Sequence, residues 1–238
     1  MKFISKRNQQ DDLVQFKDDM RDDPNLGYAH PSFPRLPVIA SLLGDQGNLC
    51  AYTMQRIGVE SCHIEHFKPQ CDCRSDDKKL TDNGFEPLHE DIAWHNLFAC
   101  YPKPPRRGEH EPGYGAIQRK CTKLDVSPLD PICESVFKFS YDGTITSAVQ
   151  TATDTIKTLN LKHESLREQR EAKIKEIGLH PRSEDPLSIE EAQELLAGRW
   201  KERLPEGFME FCVALRDAAQ EYIISVENQF EKAAQNAE

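Results

Sequence analysis

The sequence predicts an α+β fold. Short apolar runs of strand length alternate with Pro- and Gly-rich loops up to about residue 145, and a helical period follows from about Thr146 to the end. These patterns divide the chain into an N-terminal arm (1–35), a loop-rich core (36–145) and a predominantly helical C-terminal region (146–238). In the arm, Pro24, Pro31 and Pro34 leave room for one short helix around Asp11–Asp22. Leu36–Leu43 is the first dense apolar segment. Pro37 suits the first turn of a helix, and Gly44 or Gly47 ends it. Leu49–Gln55 and Ser61–Phe67 are spaced as the two strands of a small β-hairpin or paired ribbon. Residues 70–90 are polar and turn-rich and read as loop. Ile92–Cys100 is apolar again, and 101–130 reads as a long irregular loop. Phe137–Tyr141 is a strand running into an Asp142-Gly143 turn.

In the C-terminal region, His163–Ile177 has Leu166, Ile174 and Ile177 on one face and Gly178 at its end. Ser188 and Glu191 form a capping box ahead of Ala192–Ala197, closed by Gly198. The last helix is expected over Glu206–Ala234, with Phe208, Phe211, Leu215, Tyr222, Val226 and Phe230 as its apolar stripe.

Of the 238 residues, 38% are hydrophobic and 29% charged, which excludes a wholly disordered chain. No apolar run approaches the roughly 18 residues of a membrane span. The N-terminus, MKFISKRNQQ, lacks the apolar stretch of a secretory signal. The expectation is a cytoplasmic protein with no membrane partner, whose eight cysteines stay reduced. A net charge of −10 argues against binding nucleic acid through overall charge.

The densest chemistry is Ser61-Cys62-His63-Ile64-Glu65-His66-Phe67. On an extended strand His63 and Glu65 share one face and His66 takes the other, but a turn at Glu65–His66 would bring both to one centre. Glu65 offers a hard oxygen to a divalent cation, and a neutral His66 can take a proton from water. That pairing suits phosphodiester hydrolysis, in which a metal stabilises the phosphate charge and a base generates hydroxide. The same residues also fit a solvated strand, or a zinc site built from His63 and a cysteine. About thirty residues on, Trp94, His95 and Asn96 supply a carboxamide able to fix the loop that carries the base.

The segments GDQGNLCAYTMQRI, CHIEHFKPQ, HNLFACYP, VSPLDPICESVFKFSYDGTI and TIKTLNLKHESLREQR together resemble the PtuB-like HNH endonucleases, effectors of Septu-type and certain retron anti-phage systems. The resemblance covers most of residues 1–175. It implies a ββα-metal nuclease core with Mg²⁺ or Mn²⁺ as cofactor. Glu65 would be a metal ligand, His66 the general base, and Asn96 would order the catalytic loop. His63 would serve as a second ligand or a phosphate contact. No residue is clear at the third HNH position, for which His95, His110 and Asp125 are candidates. The implied partners are the nucleic acid substrate, a PtuA-like ATPase and, in retron systems, a reverse transcriptase with its RNA–DNA product.

Many HNH proteins carry paired Cys-x-x-Cys motifs that bind structural zinc. Here Thr53 stands where a partner for Cys50 would be, and Tyr101-Pro102-Lys103 follows Cys100. A structural zinc is therefore not expected, and Cys50 and Cys100 read as small core residues. The loop after the asparagine contains Arg106, Arg107, Arg119 and Lys120, a candidate guide for phosphates that would place positive charge locally. A solvated excursion is the plainer account of that loop. Two rival functions are a non-catalytic assembly subunit that keeps the ββα fold, and a zinc-binding adaptor.

Overall fold

A computed structural model describes residues 1–7, 9–103 and 112–235. The chain is α+β. It begins with α1 (Asp11–Asp19) and α2 (Arg35–Gln46), followed by strand β1 (His63–His66) and helix α3 (Gln70–Asp82). Strand β2 (Leu97–Cys100), the short α4 (Ala116–Arg119) and strands β3 (Lys138–Phe139) and β4 (Ile145–Thr146) come next. Helices α5 (Gln150–Thr158), α6 (Glu164–Glu176), α7 (Ile189–Ala197) and α8 (Cys212–Gln235) complete it. Among the described residues, no helix is long and apolar enough to cross a membrane.

The site is positioned by an antiparallel ribbon in which β1 pairs with β2, with His63 opposite Cys100 and His66 opposite Leu97. This corrects the expected hairpin of Leu49–Gln55 with Ser61–Phe67. The first of those segments is a run of turns closed by a single bridge, Leu49 to Arg56, and Met54 has a left-handed backbone. All four β2 residues are buried, whereas β1 alternates half-buried and buried. A fully internal strand gains most by pairing, so the alternating edge strand goes to it. The outer side of β2 is met by α2. The Gln46 amide donates to the carbonyl of Ala99 at 2.8 Å and accepts from its N–H at 2.8 Å.

Helix α2 ends as expected at Gly47, whose backbone is left-handed (φ 57°). A Cβ there would lie 2.3 Å from the Phe208 ring, so glycine is needed for both conformation and space.

Helix α3 replaces the loop expected over 70–90. It carries almost no apolar period, and Cys73 is its one buried residue. Side-chain pairs along its surface support it instead: Lys78 with Asp82 at 2.8 Å and Lys79 with Asp76 at 2.9 Å. Lys68, just before the helix, reaches Asp76 at 2.9 Å and also Glu90.

The first residues of the expected arm are packed into the core. Met1 and Ile4 are buried, and the Ile4 N–H donates to the Pro128 carbonyl at 2.9 Å. The Lys6 ammonium lies over the Trp94 and Phe98 rings and donates to the carbonyls of Trp94 and Leu97.

At the other end, the Asp142-Gly143 turn joins β3 to β4, and the Ser188–Glu191 capping box opens α7. Helix α8 starts at Cys212, later than the expected Glu206. The preceding residues are committed elsewhere: Leu204 bridges Gly207, the Phe208 N–H donates to the Gly47 carbonyl at 3.0 Å, and Phe211 has φ 54°. Phe208 and Phe211 therefore precede the helix. The side chain of Phe230 lies outside the described residues.

Candidate active site

Strand β1 sets the first geometry. His63 and Glu65 lie on its half-buried face, and His66 points inward with 3% of its surface exposed. His63 Nδ1 is 2.6 Å from the Pro102 carbonyl, which can only accept, so Nδ1 carries the proton. In the neutral ring Nε2 then keeps its lone pair, and it faces Glu65 Oε2 at 3.4 Å. Two acceptors face each other, an arrangement satisfied by a shared proton or by a cation. The donor set, one imidazole nitrogen and one carboxylate oxygen, fits a divalent metal.

His66 is held in one tautomer. Its Nε2–H donates to the Asp91 carbonyl at 2.8 Å, so Nδ1 is the acceptor and takes a hydrogen bond from the Gln70 amide at 3.1 Å. The Tyr28 ring packs edge-on against the imidazole, with centroids 4.6 Å apart. Burial pushes His66 down to about 4, against the Asp91 carbonyl, which acts to raise it; the positive charge of Arg119 adds to the lowering. The ring is thus neutral at pH 7.

This depression has a consequence for stability. An unfolded histidine binds its proton near pH 6.5, but the folded one does so only near 4. Protonation therefore favours the unfolded chain, and the contribution present above pH 6.5 is lost as pH falls through that window. Over the interval it amounts to about 3 kcal/mol. Urea unfolding at pH 7 and pH 4 should show His66→Gln losing less stability than the parent by about that amount. Equal losses in the two proteins would show that the ring does not resist protonation.

Asn96 is internal, 2% exposed, in the turn before β2. Its Oδ1 accepts from the Lys68 N–H at 2.6 Å, and its Nδ2 donates to the carbonyls of Glu90 at 2.9 Å and Lys68 at 3.2 Å. One carboxamide thus ties the chain leaving β1 to the loop that holds His66 through Asp91.

Arg119 corrects an expectation. As a phosphate guide it would face solvent, yet it is 1% exposed. Its guanidinium donates to the carbonyls of His66 at 3.0 Å and Phe67 at 2.8 Å and to the Tyr52 hydroxyl at 3.0 Å. Its Nε lies 3.3 Å from Glu65 Oε1 without a hydrogen-bonding angle. It pins the end of β1 and sets positive charge behind Glu65. Lys120, the next residue, is exposed, while Arg106, Arg107 and His110 lie outside the described residues.

Glu65, His66, Gln70, Arg74, Arg119 and Lys120 line one open cleft of about 190 Å³. His95 and Asp125 are exposed and are not among its lining residues. Cys50 and Cys100 are buried free thiols in the core, where the Tyr101 N–H donates to Cys50 Sγ at 3.3 Å. Cys71 and Cys73 stand on α3 rather than in a loop.

The structure also assembles a group absent from the sequence reading. Asp77, His89 and Asp91 each present a ligand atom within 4.8 Å of the others and could hold a metal ion. Two of their oxygens are already engaged: Asp77 Oδ1 by the Leu88 N–H at 2.8 Å, and Asp91 Oδ2 by the Tyr28 N–H at 2.8 Å. Gln70 and Arg74 line the cleft beside this group as well as the one beside His66, so the two clefts flank the first half of α3. The sequence offered acidic residues and a histidine in this stretch, but reading it as loop gave them no common face.

No protein-family model matches the chain, and no curated protein matches it.

Proposed function

We propose that the protein is a metal-dependent HNH-type endonuclease that hydrolyses phosphodiester bonds of nucleic acid in the cleft between Glu65 and His66. The observation that carries this reading is the fixed neutral tautomer of His66, whose Nδ1 lone pair faces the Gln70 amide in the cleft that Glu65 also lines. A general base must be unprotonated at working pH and within reach of its water. In this reading Gln70 occupies the water's place and swings aside when substrate enters.

Glu65 and His63 would hold Mg²⁺ or Mn²⁺, which would supply charge stabilisation to the phosphate and the leaving oxygen. Asn96 acts as a positioning residue through Lys68 and Glu90. The antiparallel β1–β2 ribbon, with α3 inserted between its strands and the short α4 after it, is compatible with a ββα-metal core carrying an insertion. Lys120 on the cleft rim offers the local positive charge that the net charge of −10 denies to the whole surface. The setting that goes with this proposal is an anti-phage effector held by a PtuA-like ATPase and, in a retron system, by a reverse transcriptase with its RNA–DNA product.

The test is to incubate the purified chain, alone and with its ATPase, with duplex DNA, single-stranded DNA and tRNA, in Mg²⁺ or EDTA. Cleavage of at least one substrate, abolished by EDTA, is the expected result. No hydrolysis under any of these conditions would favour the non-catalytic assembly subunit. Glu65→Gln is expected to raise the half-saturating Mg²⁺ or Mn²⁺ concentration by roughly 10–100-fold. The amide keeps an oxygen toward Arg119, so the melting temperature should move little. An unchanged metal titration removes Glu65 from the metal's ligands.

A further inference from the structure

Two sulfur atoms in the cleft have no part in the chemistry above. Cys71 stands in the first turn of α3 and Cys121 follows α4, and both line the cleft with Glu65 and His66. The other six cysteines, Cys50, Cys62, Cys73, Cys100, Cys133 and Cys212, are buried. Cys121 is exposed and Cys71 half-buried. The two accessible thiols of the chain therefore line one and the same cleft. The neighbouring Cys71 thiol, more than any other group, holds the Cys121 thiol above its ordinary range. Arg74 and Lys120, both exposed, line the same cleft and give it positive charge where an anionic reagent would approach.

We propose that Cys71 and Cys121 are a redox dithiol, converted by an anionic low-molecular-weight disulfide of the glutathione type into an intramolecular disulfide across the cleft. The exposed Cys121 thiolate attacks one sulfur of the reagent. A protein–glutathione disulfide forms, the reagent's S–S bond breaks, and one glutathione leaves as a thiolate that takes up the proton. Cys71 then attacks Sγ of Cys121. The Cys71–Cys121 bond forms, the mixed disulfide breaks, and the second glutathione leaves. The two protein thiols lose two electrons and the reagent gains them. A reduced glutathione pool runs the exchange backward and keeps the cleft open.

The bond ties the first turn of α3 to the segment after α4, both of which line the cleft with Glu65 and His66. Its formation stands apart from the nuclease reading, and only its effect on hydrolysis rests on that reading.

The experiment treats the reduced full-length chain with glutathione disulfide, then maps peptides by mass spectrometry without reduction. A Cys71–Cys121 linked peptide as the main product, removed by dithiothreitol, is the expected result. Stable glutathione on Cys121 with Cys71 free, or no reaction at either thiol, overturns the proposal. Hydrolysis is measured in parallel and is expected to fall on the order of 10²-fold on oxidation, because misplacing the reacting groups by an ångström has that effect. In Cys121→Ser the ratio of oxidised to reduced activity should stay near one. A linked peptide with unchanged hydrolysis overturns the closure of the cleft. If neither form hydrolyses any substrate, the nuclease reading fails while the linked peptide still decides the dithiol.

Discussion

His66→Ala is expected to slow phosphodiester hydrolysis by roughly 10²–10⁴-fold while the chain stays folded. Within the cleft, His66 is the imidazole whose lone pair is fixed by a carbonyl on the opposite nitrogen. Alanine removes that lone pair and also leaves the Asp91 carbonyl without its donor and the Tyr28 ring without its edge contact. Some loss of stability therefore accompanies the loss of rate, on the order of 1–3 kcal/mol for the orphaned carbonyl. Assays belong well below the variant's melting temperature, with circular dichroism as the folding control. Added imidazole should restore part of the rate in His66→Ala, because the vacated space opens on the cleft; a purely structural defect would not respond. Wild-type cleavage by the folded variant would remove His66 as base and make His63 the next candidate.

The second large effect is on folding. Arg119→Ala is expected to lower stability by roughly 3–5 kcal/mol, the range for breaking a buried charged network from one side. The guanidinium serves the His66 and Phe67 carbonyls and the Tyr52 hydroxyl at once, all in the interior. Alanine strands these groups and removes the positive charge next to Glu65. Arg119→Lys should recover only part of the loss, since one ammonium cannot reproduce a planar fork. Urea unfolding at pH 7 measures both variants. A cost below about 1 kcal/mol for the alanine variant would show that water reaches these carbonyls and that the guanidinium is no clamp.

The parts of this fold that were legible in the sequence are those written in local chemistry. Pro37 and Gly47 bracket α2, Ser188 and Glu191 cap α7, Gly178 follows α6, and Asp142-Gly143 turns the β3–β4 hairpin. Strand β1 was legible too, but not its partner. Alternation identifies a strand and its faces and carries no information about which distant segment completes the ladder. Helix α3 was hidden because its support comes from Lys–Asp pairs and one buried cysteine rather than from an apolar stripe. That error also concealed the Asp77–His89–Asp91 group. Of the candidate site, His63, Glu65, His66 and Asn96 could be named in advance because their types and spacing are chemical. The burial of Arg119 could not be, because a cation in a basic loop looks the same in sequence whether it faces solvent or a pair of carbonyls.

The Gln46 amide on Ala99 bears on how this chain meets copies of itself. A two-stranded ribbon has an open flank on each strand, and an open flank is where aggregation by strand addition starts. On β2 that flank is closed from within: Gln46 engages both backbone groups of Ala99, and the Ala51 N–H adds a further bond to its carbonyl at 3.2 Å. Ala99 therefore has no backbone group left to template a foreign strand. A helix side chain seals Ala99, and the Lys6 ammonium donates to the Leu97 carbonyl at the start of the same strand. Gln46→Leu would leave the Ala99 N–H on β2 without its side-chain partner and so open that position to strand addition.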